Sequence, residues 1–299
     1  MHIHIRARWF SALLLVASFL LATGAARAAE TLTLGVLAYL PESEILARYQ
    51  PIADHLGKAL GDISIKLVAL PYDNDAVEKA LDRKELDLLL TNPGHYVKLR
   101  TTYQFTGPLA TQEVLENGRA TTTMGGVIFA RTDRSDINGL PDLVGARIIS
   151  PDVRSLGGYQ AQAYEMLKAG LPLPKKVAFT NKHHSVVAEV LAGKADVGFV
   201  RTGVLEGMEA KGQLDLSRVK IVNPQSGAGF PAVLSTRVYP EWPIVATQRV
   251  SSQTLRRVSI ALLSIKPETP AARGAGIAGF GPPSDYLQVE ELARALQLQ

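Results

Sequence analysis

The chain contains no cysteine. That excludes disulfides, thiolate metal sites and a lipid attached through cysteine. Beyond the first 28 residues there is no apolar run approaching the about 20 residues that a membrane-spanning helix needs. There is neither a GxxxxGKS/T phosphate loop nor a GxSxG nucleophile elbow, and no Ser/His/Asp or paired-carboxylate pattern stands out. GAGIAG (274–279) has the spacing of a dinucleotide fingerprint, but it follows Pro270 instead of a strand and runs into FGPP instead of a helix. His2 and His4 lie at the extreme N-terminus, and the adjacent pair His183-His184 would point to different faces of a helix, a poor metal site. No enzyme activity, cofactor or metal is therefore expected.

A surplus of charge is missing too, once the N-terminus is set aside. Arg6 and Arg8 precede an apolar run from Trp9 to Ala22, and small residues lead to Ala26-Arg27-Ala28. This is the three-part layout of a secretory leader, with cleavage expected after Ala28, and the run is short for a membrane anchor. Of 299 residues, 28 fewer leaves 271; of 32 Lys and Arg, three fewer leaves 29, against 28 Asp and Glu. A nearly neutral mature chain carries no case for nucleic-acid binding. An exported chain without disulfides or lipid fits the periplasm.

What the sequence does contain is a repeated alternation of strand and helix. TLTLGVLAYL (31–40) reads as a strand, and Ile45, Leu46, Tyr49, Ile52, Leu56 and Leu60 recur at helical spacing, with Pro51 marking a kink or a second start. ISIKLVAL (63–70) alternates as a strand, DAVEKALDRKE (75–85) reads as a helix and LDLLLT (86–91) as a buried strand. This order predicts an α/β protein with mostly parallel sheets flanked by helices.

One internal echo adds organisation. At an offset of 109 residues, AVEKALDRKELDLLLTNPGHYV (76–97) lies over SVVAEVLAGKADVGFVRTGVLE (185–206), with Asp87 on Asp196, Gly94 on Gly203 and Asn92 on Arg201. Two similar lobes follow, each ending a strand at a polar turn. GGVIFAR (125–131) and FPAVLSTRV (230–238) read as the two crossings, which predicts lobe one over 29–123, lobe two over 124–233 and a return to lobe one over 234–299.

RSLGGY (154–159) sits between the apolar run ARIISPD and a helical run to about Ala169. Ser155 is a natural helix cap, and Gly157 and Gly158 leave the backbone bare. The turn is either a plain capped start or an anion cradle made by the backbone N–H groups of Leu156, Gly157 and Gly158 with the Ser155 hydroxyl. Asn92 and Arg201, at equivalent places in the echo, face one cleft as hydrogen-bonding group and charge partner, or else serve as a turn residue before Pro93 and a salt bridge to Glu206. His183 is a ligand contact or a surface residue at a helix start. Tyr39 and Tyr72, following the first two strands, wall the cleft or simply pack.

With those residues in place, the chain resembles the phosphonate-binding, PhnD-like family of periplasmic receptors. The likeness rests on GVLAYLPESEILARYQPIADHL, LDLLLTNPGHYV, GGVIFART, SDINGLPDLVGARI, RSLGGY, HHSVVAEVLAGKADVGFVRTGVLEGM and STRVYPEWP, nearly all of the mature chain. The resemblance implies a two-lobed type II periplasmic-binding fold with a two-strand hinge. It implies a small anionic ligand (phosphate, phosphonate or a sulfur oxyanion) and, as partner, the membrane permease of an ABC transporter. Ser155 and Gly158 match the family's Ser-Thr-Ser-Gly phosphonate grip, Leu156 and Gly157 do not, and His183 falls on a ligand-contacting histidine. The wording of GGVIFART, SLGGY and ADVGFVRTGVLE is similar to sensor domains of that family, which sit before a histidine kinase and in some cases answer to tetrathionate. A sensor kinase or cyclase is thus the alternative partner.

Overall fold

A computed structural model describes residues 30–72, 75–227 and 229–298. The expected leader and its cleavage site lie outside the described residues. The first lobe opens with β1 (Glu30–Ala38), α1 (Glu42–Leu60), β2 (Ile63–Pro71), α2 (Ala76–Asp82), β3 (Leu88–Leu90), α3 (Pro93–Leu99), β4 (Ala110–Glu116) and β5 (Arg119–Thr121). The chain crosses through β6 (Thr123–Met124). It then builds the second lobe from β7 (Gly126–Arg131), β8 (Ile148–Ser150), α4 (Ala161–Lys168), β9 (Val177–Phe179), α5 (His183–Leu191), β10 (Val197–Arg201), α6 (Val204–Ala210) and β11 (Val219–Val222). It returns through β12 (Tyr239–Pro240) and closes the first lobe with β13 (Pro243–Ala246), α7 (Ser252–Leu263), α8 (Pro270–Ala275), β14 (Gly279–Gly281) and α9 (Leu287–Ala295).

The first sheet runs β14-β4-β13-β3-β1-β2 with β5 on β4, and the second runs β11-β7-β10-β8-β9. The α/β class stands, but the sheets are mixed instead of mostly parallel. β1 and β3 pair in parallel, as do β10 and β8, and β8 and β9. β13 lies antiparallel to β3 and to β4, and β7 antiparallel to β10 and to β11. The reason is the double crossing: the strand that enters each lobe from the hinge arrives running opposite to that lobe's βαβ strands, and it lies beside the third of them.

The hinge pairing also falls later than the run 230–238 suggested. Tyr239 and Pro240 pair with Met124 and Thr123, while just before them one backbone bond, from the Ser235 N–H to the Gly126 carbonyl at 2.9 Å, is joined by bonds to side chains. The N–H of Ile128 donates to Ser235 Oγ at 2.9 Å, and that of Gly126 to Thr236 Oγ at 2.9 Å. Hydroxyls there supply most of what a strand ladder would. Likewise α1 continues through Pro51. Its buried face, Ile45, Tyr49, Ile52 and Leu56, packs on the sheet and outweighs the hydrogen bond that proline removes.

Among the described residues four apolar clusters cover the sheet faces. One of them crosses the boundary: Leu37, Leu89, Tyr96 and Tyr286 of the first lobe share it with Leu156, Ala161 and Tyr164 of the second. Packing alone therefore brings the helix start at Leu156 against the first lobe.

Candidate functional site

Ser150 ends β8, and the chain turns through Pro151 to Ser155, which is extended at φ −75 and ψ 112. The helix that follows begins with one wide turn: the N–H groups of Tyr159 and Gln160 both donate to the Ser155 carbonyl, at 2.9 and 3.1 Å, and Ala161 donates to Leu156. Such π-type turns recur at functional sites. The Ser155 hydroxyl accepts the N–H of Gly158 at 3.1 Å, so two of the expected cradle groups satisfy each other. The carbonyls of Ser155 and Leu156 point up the helix, and a trans peptide sends its N–H the other way. The N–H groups of Leu156 and Gly157 therefore face outward from the helix start, where no intrahelical acceptor exists.

The glycines answer first to packing. A Cβ on Gly157 would lie 3.0 Å from the Gly125 carbonyl and from Met124, and 3.1 Å from Arg201 Cγ. One on Gly158 would lie 2.7 Å from Ser155 Oγ and 3.0 Å from His183 Cε1. Two buried side chains hold the turn from beneath: Ser150 Oγ donates to the Gly158 carbonyl at 2.9 Å and Gln162 Nε2 to the Gly157 carbonyl at 2.7 Å.

His183 opens α5 beside this turn. Its Nδ1 accepts the Arg201 N–H at 3.3 Å, which leaves the ring proton on Nε2. Burial, with Arg201 second, pushes its pKa down to about 3, so it is a neutral donor at neutral pH. Arg201 itself is not an uncommitted charge. Its Nη2 contacts Glu241 Oε1 at 2.6 Å and Glu116 Oε1 at 3.1 Å. The expected alternative partner, Glu206, instead accepts the N–H of Val233 at 2.9 Å. As an oxyanion partner Arg201 is compromised by two carboxylates from the other side of the hinge.

On the first lobe Asn92 caps α3, accepting the His95 N–H at 2.8 Å, and its Nδ2 donates to the Tyr72 hydroxyl. Tyr72 and Asn92 meet the second lobe through Arg154, a residue that sequence reasoning passed over although it begins RSLGGY. The Arg154 guanidinium lies 4.6 Å from the Tyr72 ring centre, Nη1 donates to the Tyr72 carbonyl at 2.5 Å, and Asn92 Nδ2 reaches the Arg154 carbonyl at 3.5 Å. Asp152 holds Arg154 in this pose through Nε at 3.0 Å and Nη2 at 2.9 Å. Tyr39 stands apart from this group, 41% exposed and edge-on to Trp242 at 5.3 Å.

A cavity of about 150 Å³ opens between the lobes beyond Arg154, lined by Tyr72, Glu78, His95, Lys98 and Gln160 among others. It shares Tyr72 and Arg154 with the site and none of residues 155–158. His95 bridges Thr91 Oγ at 3.0 Å and Glu78 Oε1 at 3.4 Å, and the bond to His95 holds the Glu78 carboxyl down to about 2. Among the described residues no group of three His, Cys, Asp or Glu could hold a metal ion, and no helix is long and apolar enough to cross a membrane.

Known proteins are similar to this chain over most of its length. Residues 34–286 match the family described as ABC transporter, phosphonate, periplasmic substrate-binding protein. The tetrathionate sensor histidine kinase TtrS of Salmonella typhimurium is 26% identical over 269 residues, which is 89% of this chain and 44% of that relative. Among solved structures, a Xanthomonas citri protein bound to ATP superposes with a TM-score of 0.69 at 18% identity, over 90% of this chain and 98% of the other. PhnD1 of Prochlorococcus marinus in complex with methylphosphonate gives 0.67 at 17% identity, over the same 90% and 98%. These structures share the two-lobed type II periplasmic-binding fold. The chain belongs to the phosphonate-type family of periplasmic substrate-binding proteins.

Proposed function

We propose that this protein captures a small oxyanion of the phosphate, phosphonate or sulfur-oxyanion class between its lobes and delivers it to the permease of an ABC-type transporter. The observation that carries this reading is the pair of outward N–H groups, Leu156 and Gly157, at the start of a helix that continues to Lys168. Helix starts favour negative charge, and a donor fixed in place needs no reorganisation when the anion arrives. The neutral Nε2–H of His183 and the Ser155 O–H add donors that leave an anion's charge in place. Tyr72 and Asn92 supply the opposite wall, and Arg154 ties it to the turn. Arg201 and Tyr39 take secondary places, Arg201 through its carboxylate partners and Tyr39 at the rim.

The leader Met1–Ala28 would send the chain to the periplasm and be removed there, leaving Ala29 as the first residue; intact-mass measurement of protein recovered from that compartment tests this. No catalytic step is assigned to the site.

A second reading is favoured by one observation, the likeness to a tetrathionate sensor kinase over 89% of this chain. In that reading the protein reports ligand occupancy to a membrane-bound kinase or cyclase. Neighbouring reading frames discriminate: a permease and ATPase pair supports uptake, a kinase supports sensing.

The ligand class is tested by thermal unfolding with phosphate, phosphite, methylphosphonate, sulfate, thiosulfate and tetrathionate. An anion present at a hundredfold its dissociation constant adds about 2.7 kcal/mol to stability and raises the midpoint. If none of the six shifts it, the oxyanion reading fails.

A further inference from the structure

Arg201 brings one positive charge to two carboxylates. Glu241 and Glu116 converge on the same guanidinium nitrogen at 2.6 and 3.1 Å, which puts their oxygens within about 6 Å of each other, close enough for like charges to shift one another. The Glu241 side chain is 0% exposed and that of Glu116 4%. Among the described residues their second oxygens meet no further cation: Glu241 Oε2 accepts the Trp242 N–H at 3.3 Å, and Glu116 Oε2 lies against Gly203. Arg201 Nε is buried and has no hydrogen-bond partner among the described residues.

The three residues come from three places. Arg201 ends β10 of the second lobe, Glu116 ends β4 of the first, and Glu241 follows β12, where the chain re-enters the first lobe. The other titratable groups that act on them are Tyr39 and His183 on Arg201, Tyr49 and Tyr286 on Glu241, and Glu206 on Glu116. None supplies a second positive charge, since His183 is neutral. Two buried carboxylates share one guanidinium whose side chain is 25% exposed, which leaves one buried negative charge without a counter-charge among them, and that is costly. Burial pushes both carboxyls above the usual range, with Arg201 opposing it in each case.

We propose that Glu116 and Glu241, both on the first lobe, share one proton and act as positioning residues, holding Arg201 of the second lobe in a lock whose closing takes up that proton. A carboxyl whose pKa is higher in the closed form than in water favours that form at low pH, and the contribution is lost as pH rises through the raised value. Acidification therefore draws the lobes together and strengthens anion capture, whichever anion the site takes. Because closure without ligand is the readout, this lock can fail while the oxyanion reading stands, and the reverse.

The test is small-angle X-ray scattering of the protein without added anion between pH 8 and pH 5.5. The wild type contracts as the pH falls. Glu116→Gln and Glu241→Gln each keep an oxygen that accepts from Arg201 and remove one charge, so each variant is contracted across the whole range. Circular dichroism confirms that a variant is folded before its profile is used, and either variant suffices. A flat wild-type profile, expansion on acidification, or folded variants that respond to pH as the wild type does overturns the proposal.

Discussion

Residues 76–97 and 185–206 share one backbone plan and diverge in charge. In the first unit the Asp87 carboxylate accepts the N–H of Thr33 at 2.9 Å while its own N–H donates to the Thr33 carbonyl at 3.0 Å. In the second, Asp196 does the same with Arg147, at 2.9 and 2.8 Å. Each aspartate thus clamps the start of the neighbouring parallel strand. Asp87 has Arg249 at 3.5 Å, whereas Asp196 holds Arg134 at 2.5 Å and Arg147 at 2.8 Å. At the far ends, Asn92 is a neutral cap and Arg201 a charge bound across the lobe boundary. The equivalent glycines, Gly94 and Gly203, each admit a side chain from the opposite lobe, Gln160 and Glu116. A duplicated plan keeps its backbone requirements and lets the two ends take different electrostatic work.

The glycines give the widest separation between the units. Gly203 has φ 75 and a Cβ there would fall on the Glu116 carboxylate, so Gly203→Ala costs about 2–4 kcal/mol. Gly94 has ordinary φ, and a Cβ there would press on the movable end of Gln160 and touch Asn92 Oδ1 at an ordinary 3.4 Å, so Gly94→Ala costs less than about 1 kcal/mol. Urea denaturation of both variants checks the contrast, and equal costs would dissolve it.

The aspartates come next. Asp196→Asn loses about 2 kcal/mol and Asp87→Asn about 1 kcal/mol at pH 7, because a charged acceptor holding two guanidinium groups does more than one with a distant partner. The bonds from Arg147 hold the Asp196 carboxyl well below its ordinary value of 3.8, so its contribution is present above that value and is lost as pH falls toward the lowered one. Denaturation at pH 7 and pH 3 should show the gap between wild type and Asp196→Asn narrowing in acid.

Smaller effects lie at the cleft. Asn92→Ala removes a helix cap and costs about 1 kcal/mol, visible in the urea midpoint. Arg154→Ala touches an exposed contact and leaves stability within about 0.5 kcal/mol, yet weakens anion affinity about two- to fivefold by loosening the tie to Tyr72. Calorimetric titration measures that loss; an unchanged affinity would remove Arg154 from the closed form.

The duplicated plan was readable because Asp and Gly at its key positions answer to backbone needs inside a short segment. The same locality made Ser155 legible as a cap and His183 as a helix start. The partners of Arg201 were not readable in this way. Glu116 lies 85 residues away and Glu241 40 residues away, and only the hinge brings them together. Some local signal existed: Glu116 precedes Asn117-Gly118, both with positive φ, the signature of a tight hairpin that would have placed it at a strand end. Glu241 stands between Pro240 and Trp242, a lone acid in an apolar run, which asks for a buried counter-charge. Gly157 and Gly158 show the converse limit, since a bare backbone reads equally as room for a ligand or for Met124, Pro151 and His183, and the structure fills it with the latter.

If the outward N–H groups of the turn grip the anion, their backbone amide resonances report it during anion titration. With whichever anion raises the unfolding midpoint, the Leu156 and Gly157 amide signals move furthest downfield and saturate together with binding, as new hydrogen bonds form. Saturation of binding elsewhere in the protein while those two signals stay in place would contradict that grip.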